Sequence, residues 1–166
     1  MVNIGSMFRN GWENNVKDAD AVAVLKIGSD ARTASADGGD EPIFPLAPMK
    51  KEDAPNKELE EALEYYHTPR AQYPTAPGYM TARSINQIIT YDAFNKAEAF
   101  LPQPLLTVVG SEAGSKWMSD DLMQRAASKD KRMHVVKGAN HMSMYDGEDS
   151  IVEAVSQLAP FFKRNP

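Results

Sequence analysis

From Leu105 onward the chain alternates short apolar, β-branched runs with amphipathic stretches. Leu105-Leu106-Thr107-Val108-Val109, bounded by Pro104 and Gly110, reads as a buried strand. A segment carrying Leu122, Met123, Ala126 and Ala127 reads as a helix that Ser119 can cap. Met133-His134-Val135-Val136 is a second strand, and Ile151, Val155, Leu158 and Phe162 at i, i+4, i+7, i+11 mark a last helix that Pro160 should kink or split. Strand–helix–strand–helix in this order belongs to a parallel α/β sheet with right-handed crossovers. A parallel strand needs neighbours and a helix layer on each face, so two strands do not complete such a sheet. Something is missing from the sheet, or another chain supplies it.

The preceding residues read differently. Val2, Ile4, Met7 and Phe8 look like the tail of a strand running into a turn. Ala21, Val22, Val24 and Leu25 predict a helix from about Lys17 that Gly28 weakens or ends. The run from Ala36 to Pro55, with two glycines and four prolines, predicts a loop. Pro55, Glu58, Glu60 and Glu61 favour a helix start. Leu59, Leu63 and Tyr66 give that helix one apolar stripe, and Thr68-Pro69 stops it. After a second loop, Pro69 to Pro77, the residues Ile85, Ile88, Ile89, Ala93 and Ala97 predict one amphipathic helix ending near Phe100. The expected division is thus 1–101, a mainly helical region, and 102–166, a β-α-β-α region.

Composition narrows the class. Eighteen Lys and Arg against 23 Asp and Glu give a net charge of −5, which argues against nucleic acid and against an anionic membrane surface as partner. There is no cysteine, hence no disulfide, thiolate nucleophile or Cys-based metal site. The opening MVNIGSMFRNGWENN has no apolar core of the signal-peptide kind, and the longest apolar runs are too short to span a bilayer. A cytoplasmic protein is expected. No P-loop or Gly-x-Gly-x-x-Gly motif occurs and the histidines lack metal-ligand spacing, so neither a cofactor nor a metal is expected.

Three histidines are candidates for chemistry. His67 falls at a helix C-terminus and His134 inside a strand, both ordinary structural positions. His141 differs: it follows Lys137-Gly138-Ala139-Asn140 just past a strand's C-terminal end, the edge where open α/β sheets bind ligands. An imidazole there can act as general base. On the neighbouring loop, Gly110-Ser111-Glu112-Ala113-Gly114-Ser115, Glu112 can orient that imidazole and stabilise its charged form, or simply face solvent. Ser111, Ser115 and Ser143 lie on the same two loops but lack an elbow to aim them, and none reads as a nucleophile.

Taken together, the Pro104-Leu105-Leu106 strand, the Gly-Ser-Glu-Ala loop, the Trp117-Met118-Ser119 helix entry and the Gly-Ala-Asn-His loop followed by Tyr145-Asp146 resemble the C-terminal end of the α/β-hydrolase fold. The resemblance is greatest to the dienelactone-hydrolase-like branch that includes fungal polyketide transferases. It extends to Val2-Asn3-Ile4-Gly5 with Phe8-Arg9, which look like the end of the sixth core strand and the turn after it. Residues 10–100 would then be a helical, cap-like excursion. The resemblance implies a partial α/β-hydrolase fold, His141 as the triad histidine and Glu112 as the acid. The family's Gly-x-Ser-x-Gly elbow is absent, since Gly110-Ser111-Glu112-Ala113-Gly114 misplaces its serine. Phe8 and Trp12, at helical spacing near the expected catalytic edge, are candidate lid and substrate-pocket residues.

Two functions compete on this reading. The first is the C-terminal half of a serine hydrolase or acyltransferase acting on a small-molecule ester or thioester, inactive alone and complemented by an N-terminal half. The second is a non-catalytic truncated protein that closes its open sheet edge against another chain, a second copy included. A small-molecule binding module that keeps the cap without chemistry is a third, weaker reading.

Overall fold

The computed structural model describes residues 2–15 and 18–166, which form two compact units. The mainly helical unit comprises Ile4–Gly11 and Asn15–Tyr91; the sheet unit comprises Asp92–Pro166 together with Asn3 and Trp12–Asn14.

The helical unit opens with α1, Ile4–Asn10. The expected strand tail is therefore a helix at Ile4 and Gly5, and Val2 and Asn3 lie in no strand. The spacing of Ile4, Met7 and Phe8, i, i+3, i+4, is helical, and Arg9 anchors the element by donating to the carbonyl of Tyr91 at 2.9 Å. The next helix, α2, spans Asp18–Ala36; Lys17, where it was expected to begin, lies outside the described residues. Gly28 does not end it. A side chain there would meet Asn86 Oδ1 at 2.2 Å, so this glycine marks a close approach and not a stop.

Within the first proline-bearing loop, β1 (Ile43–Pro45) pairs antiparallel with β2 (Tyr79–Thr81), with Phe44 opposite Met80. Pro45 fits because a two-stranded ribbon has edges that need no donor. The helix α3, Lys57–Tyr66, starts at Asn56, whose side chain accepts from the N–H of Leu59 at 3.0 Å. Its buried face is Glu58 and Ala62, and Tyr66 of the expected stripe is exposed. A short 3₁₀ turn, Ala82–Ser84, leads into α4, Ile85–Thr90. Ala31, Ala82 and Ile85, flanked by Val24 and Met80, make the small core of this unit.

The single helix expected from Ile85 to Phe100 is interrupted. It resumes only at α5, Ala97–Phe100, after Lys96 at φ 63°. Asp92 accounts for the break: its carboxylate accepts from the N–H of Phe94 at 2.9 Å, from Asn3 Nδ2 at 2.7 Å and from Arg125 at 2.9 Å. A side chain that satisfies nearby backbone donors competes with the helical ladder. Burial works against the charge on Asp92, but the hydrogen bonds from Arg125, Phe94 N–H and Asn3 outweigh it and hold the carboxyl below its usual range.

In the sheet unit β3 (Leu105–Gly110) pairs parallel with β4 (Lys131–Val136), Leu105 opposite Lys131 through Gly110 opposite Val136. The helix between them is α6, Lys116–Arg125; Ser119 lies buried inside it, and the N-cap residue is Ser115. A short α7, Ser143–Asp146, precedes α8, Glu148–Arg164, which carries Pro160 within its last turns without a break in the helix. The stripe that α8 buries holds Ala154 and Phe161, while Val155 and Phe162 of the expected one are 52% and 63% exposed. Met118, Leu122, Val109 and Val136 fill the core between sheet and helices. Among the described residues no third strand pairs with β3 or β4, and no helix is long and apolar enough to cross a membrane.

Candidate active site

The C-terminal ends of β3 and β4 are laced together before any functional side chain appears. Ser111 N–H donates to the carbonyl of Val136 at 2.9 Å, Glu112 N–H to that of Ala139 at 2.9 Å, and Gly138 N–H to Ser111 Oγ at 2.8 Å. This closeness requires Gly110. A Cβ at that position would fall 2.1 Å from the carbonyl oxygen of Ala139. The loop then turns on a reciprocal pair: Ser143 N–H donates to Asn140 Oδ1 at 2.7 Å, and Asn140 N–H to Ser143 Oγ at 3.0 Å. Ser143 Oγ donates in turn to the Asn140 carbonyl at 3.1 Å, which makes this serine a local brace.

His141 is thereby delivered to the end of the sheet, only 7% exposed. Its Nδ1 lies 2.8 Å from Ser115 Oγ and its Nε2 2.7 Å from the hydroxyl of Tyr145. Tyr145 also stands edge-on to the ring at 5.1 Å, and Trp12 does the same at 5.4 Å. The backbone carbonyl of Trp12 accepts from Trp117 Nε1 at 2.7 Å, which ties it to α6. Burial pushes the His141 imidazole down to about 4 from its ordinary 6.5, so the ring is neutral near pH 7. A neutral imidazole has one N–H to give and one lone pair to receive.

The expected site residues are distributed as follows. His141 and Trp12 are in contact. Glu112 sits on the exposed side of its loop, tied through its backbone to the carbonyl of Ala139, while the Nδ1 of His141 faces Ser115. Phe8 is half-buried in α1, and Trp12 lies beyond that helix, past Gly11 at φ 79°. The helical spacing of the two is therefore not the spacing of one helix. His134 pairs with Glu153 at 2.7 Å on the partly exposed face of the sheet, and His67 caps α3. Tyr145 entered the sequence reading only through the resemblance and not as a site residue; its position four residues after His141, one helical turn on, was the available signal.

Among the described residues no group of three or more acidic or histidine side chains is placed to hold a metal. A cleft of about 620 Å³ lies in the helical unit, lined by Arg32, Arg83, Thr81 and Ser84 among others. Its lining is mostly polar and does not include His141.

No known family profile matches the chain. Two curated proteins are similar. The uncharacterized protein YcjY of Escherichia coli (strain K12) is 65% identical over 162 residues, covering 98% of this chain and 53% of YcjY. The uncharacterized protein PA2218 of Pseudomonas aeruginosa is 28% identical over 102 residues, 60% of this chain and 27% of that one. Among solved structures, hypothetical protein PA2218 aligns over 99% of this chain and 51% of its own, with TM-score 0.86 and 22% identity. DcsB, solved with its substrate analogue, aligns over 89% of this chain and 51% of its own with TM-score 0.68 and 16% identity. The α/β hydrolase GrgF from Penicillium sp. sh18 aligns over 89% and 50% with TM-score 0.64 and 16% identity. The chain spans about half the length of YcjY and of each of these structures. Its mixed α/β architecture, with a short parallel sheet between helices, is α/β-hydrolase-like.

Proposed function

We propose that His141 is the general base of an acyl-transfer site and that this chain supplies the C-terminal part of a serine hydrolase or acyltransferase of the α/β-hydrolase kind, in the branch that resembles dienelactone hydrolases and polyketide transferases. The observation that carries the reading is a buried, neutral imidazole at the C-terminal end of two parallel strands, with both ring nitrogens held by hydroxyls. A general base must be uncharged and precisely oriented to accept a proton, and burial with two hydrogen bonds provides both. The nucleophile serine and the oxyanion donors come from outside these 166 residues, which contain no Gly-x-Ser-x-Gly elbow. In the complete protein the serine oxygen attacks the ester or thioester carbonyl and the imidazole takes its proton. The imidazolium then returns that proton to the leaving group, and water or another acceptor resolves the acyl-enzyme. Glu112 is the carboxylate proposed to stabilise the imidazolium. Trp12 and Phe8 are proposed to wall the acyl pocket, in a cytoplasmic enzyme acting on a small molecule.

The test is turnover of aryl-ester and thioester substrates by the protein at its natural length. His141→Gln should lower kcat/KM by roughly 10²–10⁴-fold, the span of general-base catalysis. Turnover unchanged in that variant removes the base and with it the reading.

A second reading rests on the two-stranded parallel sheet, whose outer edges carry no strand among the described residues. On it the chain is a non-catalytic protein that pairs this edge with another chain or a second copy. Light scattering on the 166-residue chain separates the readings: a stable dimer with no esterase activity in the natural-length protein favours the second.

A further inference from the structure

The small core of the helical unit carries a set of polar neighbours to one stretch of surface. Ala31 on α2, Ala82 on the 3₁₀ turn and Ile85 at the start of α4 pack together. Arg32 follows the first of these in the chain, Thr81 and Arg83 flank the second, and Ser84 precedes the third. All four line the cleft of about 620 Å³ in this unit. Ser35, one turn after Arg32 on the same side of α2, and Gln87 of α4 join them. The volume lies within the roughly 300–1,000 Å³ that small-molecule sites occupy.

The lining is cationic in a chain whose net charge is −5. It holds two guanidiniums and, among the described residues, no carboxylate. Other arginines of the protein are held by its own acceptors: Arg9 by the carbonyl of Tyr91, Arg70 by Glu64, Arg125 by Asp92. Arg32 has no such acceptor among the described residues. Arg83 is held on one side: Glu41, which is outside the lining, accepts from its backbone N–H at 3.3 Å and pairs with its Nε at 3.3 Å. That pairing fixes the guanidinium and leaves its two Nη groups without a protein acceptor among the described residues. The hydroxyls of Thr81 and Ser84 stand 2.8 Å apart and share one hydrogen, so one of them keeps a hydrogen to give. Ser35, Thr81 and Ser84 are half-buried while both arginines are exposed. A solute entering from water therefore meets charge first and hydroxyl donors further in.

We propose that this cleft is a binding site for a small molecule bearing an oxyanion group of the carboxylate or phosphate kind. Guanidinium forks grip such groups through paired N–H···O bonds that are charge-assisted and directional. Arg32 and Arg83 supply the two forks from opposite walls, one on α2 and one on the 3₁₀ turn. The hydroxyls supply the neutral donors that a solvated surface arginine lacks. Every residue of the site belongs to the helical unit, so it does not rest on the acyl-transfer reading of His141.

The test is titration of the natural-length protein with sodium phosphate and, separately, with sodium succinate, at ionic strength held constant with sodium chloride. Backbone ¹H–¹⁵N correlation spectra should show saturable shifts confined to residues 31–36 and 81–87 with at least one of the two anions, and the tighter binder names the group. Arg32→Gln removes an exposed side chain without a protein partner, so the fold should survive while binding weakens roughly tenfold or more. Arg83→Gln should weaken it comparably. Lys26→Gln removes an equal charge from the same helix, at a residue paired with Asp30 and outside the cleft, and should bind as the parent does. Shifts that saturate with neither anion overturn the proposal, as does binding that Arg32→Gln leaves unchanged. Equal weakening by Lys26→Gln also overturns it, because the attraction would then be to diffuse charge and not to a built site.

Discussion

Two glycines of this protein, Gly110 in the sheet unit and Gly28 in the helical unit, use close approach in opposite ways. In the sheet unit, Gly110 lets the backbone of one loop touch the backbone of the next, the carbonyl of Ala139, and the contact places His141. In the helical unit, Gly28 lets α2 approach a side chain, Asn86, and the contact places no group of evident chemical use. A backbone atom cannot move without carrying its whole loop along, whereas a side chain has rotamers to spend. The difference teaches where tolerance to change should fall: at Gly28, which faces a side chain, and not at Gly110, nor at Gly5 of the helical unit, where an added Cβ would run into the carbonyl oxygen of Tyr91.

The sharpest way to break that comparison is Gly110→Ala. The added carbon meets a backbone oxygen at 2.1 Å, and neither strand end can yield without unlacing Ser111, Glu112 and Gly138. The expected destabilisation is about 3 kcal/mol or more, read as a lowered urea midpoint. His141 should also become accessible, so that its modification by diethyl pyrocarbonate speeds up in the folded protein. A variant as stable as the parent would mean that the two loops are not rigidly held against each other.

How far the sequence discloses this architecture depends on where each contact comes from. β3 and β4 were legible because each holds apolar, β-branched residues in a short run, and the site loop was legible because His141 lies a few residues past such a run. The helical break between Ile85 and Phe100 was not, because it comes from Asp92 gathering Asn3, Phe94 and Arg125, partners from 89 residues before to 33 after it. Periodicity records no such convergence. Ser115 was passed over for a related reason: it was weighed only as a nucleophile, and its contact with His141 Nδ1, across 26 residues of chain, exists only in the folded protein. The stripes of α3 and α8 were misread because an amphipathic helix with apolar residues on more than one face does not declare which face packs. In α8 the small Ala154 allows close approach beside Phe161, and Val155 and Phe162 are left outside.

A smaller effect is expected from acid, confined to the sheet unit. The folded His141 has its pKa lowered to about 4 by burial, against 6.5 for the ordinary group. Between those values the unfolded chain binds a proton that the folded chain refuses, so stability rises with pH across this window and is lost as pH falls from about 6.5 toward 4. The full span corresponds to up to about 3 kcal/mol. Urea unfolding at pH 7 and pH 4.5, compared between wild type and His141→Gln, isolates the contribution, because the carboxylates titrate alike in both. Equal losses in the two proteins would show that the imidazole is not held neutral by burial.

The smallest effect belongs to Gly28→Ala, and it tests the comparison from the soft side. The new methyl would meet Asn86 Oδ1 at 2.2 Å, but the next obstruction, Asn86 Cγ, is at 3.0 Å and the backbone N of Asn86 at 3.2 Å. A rotation of the Asn86 side chain relieves the first two, at the expense of its hydrogen bond to Ser29 Oγ at 2.9 Å, a loss of about 1 kcal/mol. Against this, alanine in the middle of a helix is favoured over glycine by about 1 kcal/mol. The two terms nearly cancel, and Asn86 Oδ1, buried here without a partner, gains a chance to find one on turning. The variant should unfold within about 1 kcal/mol of wild type. If it instead lost as much as Gly110→Ala, the Asn86 side chain would be held as rigidly as the Ala139 backbone, and the contrast between the two contacts would not hold.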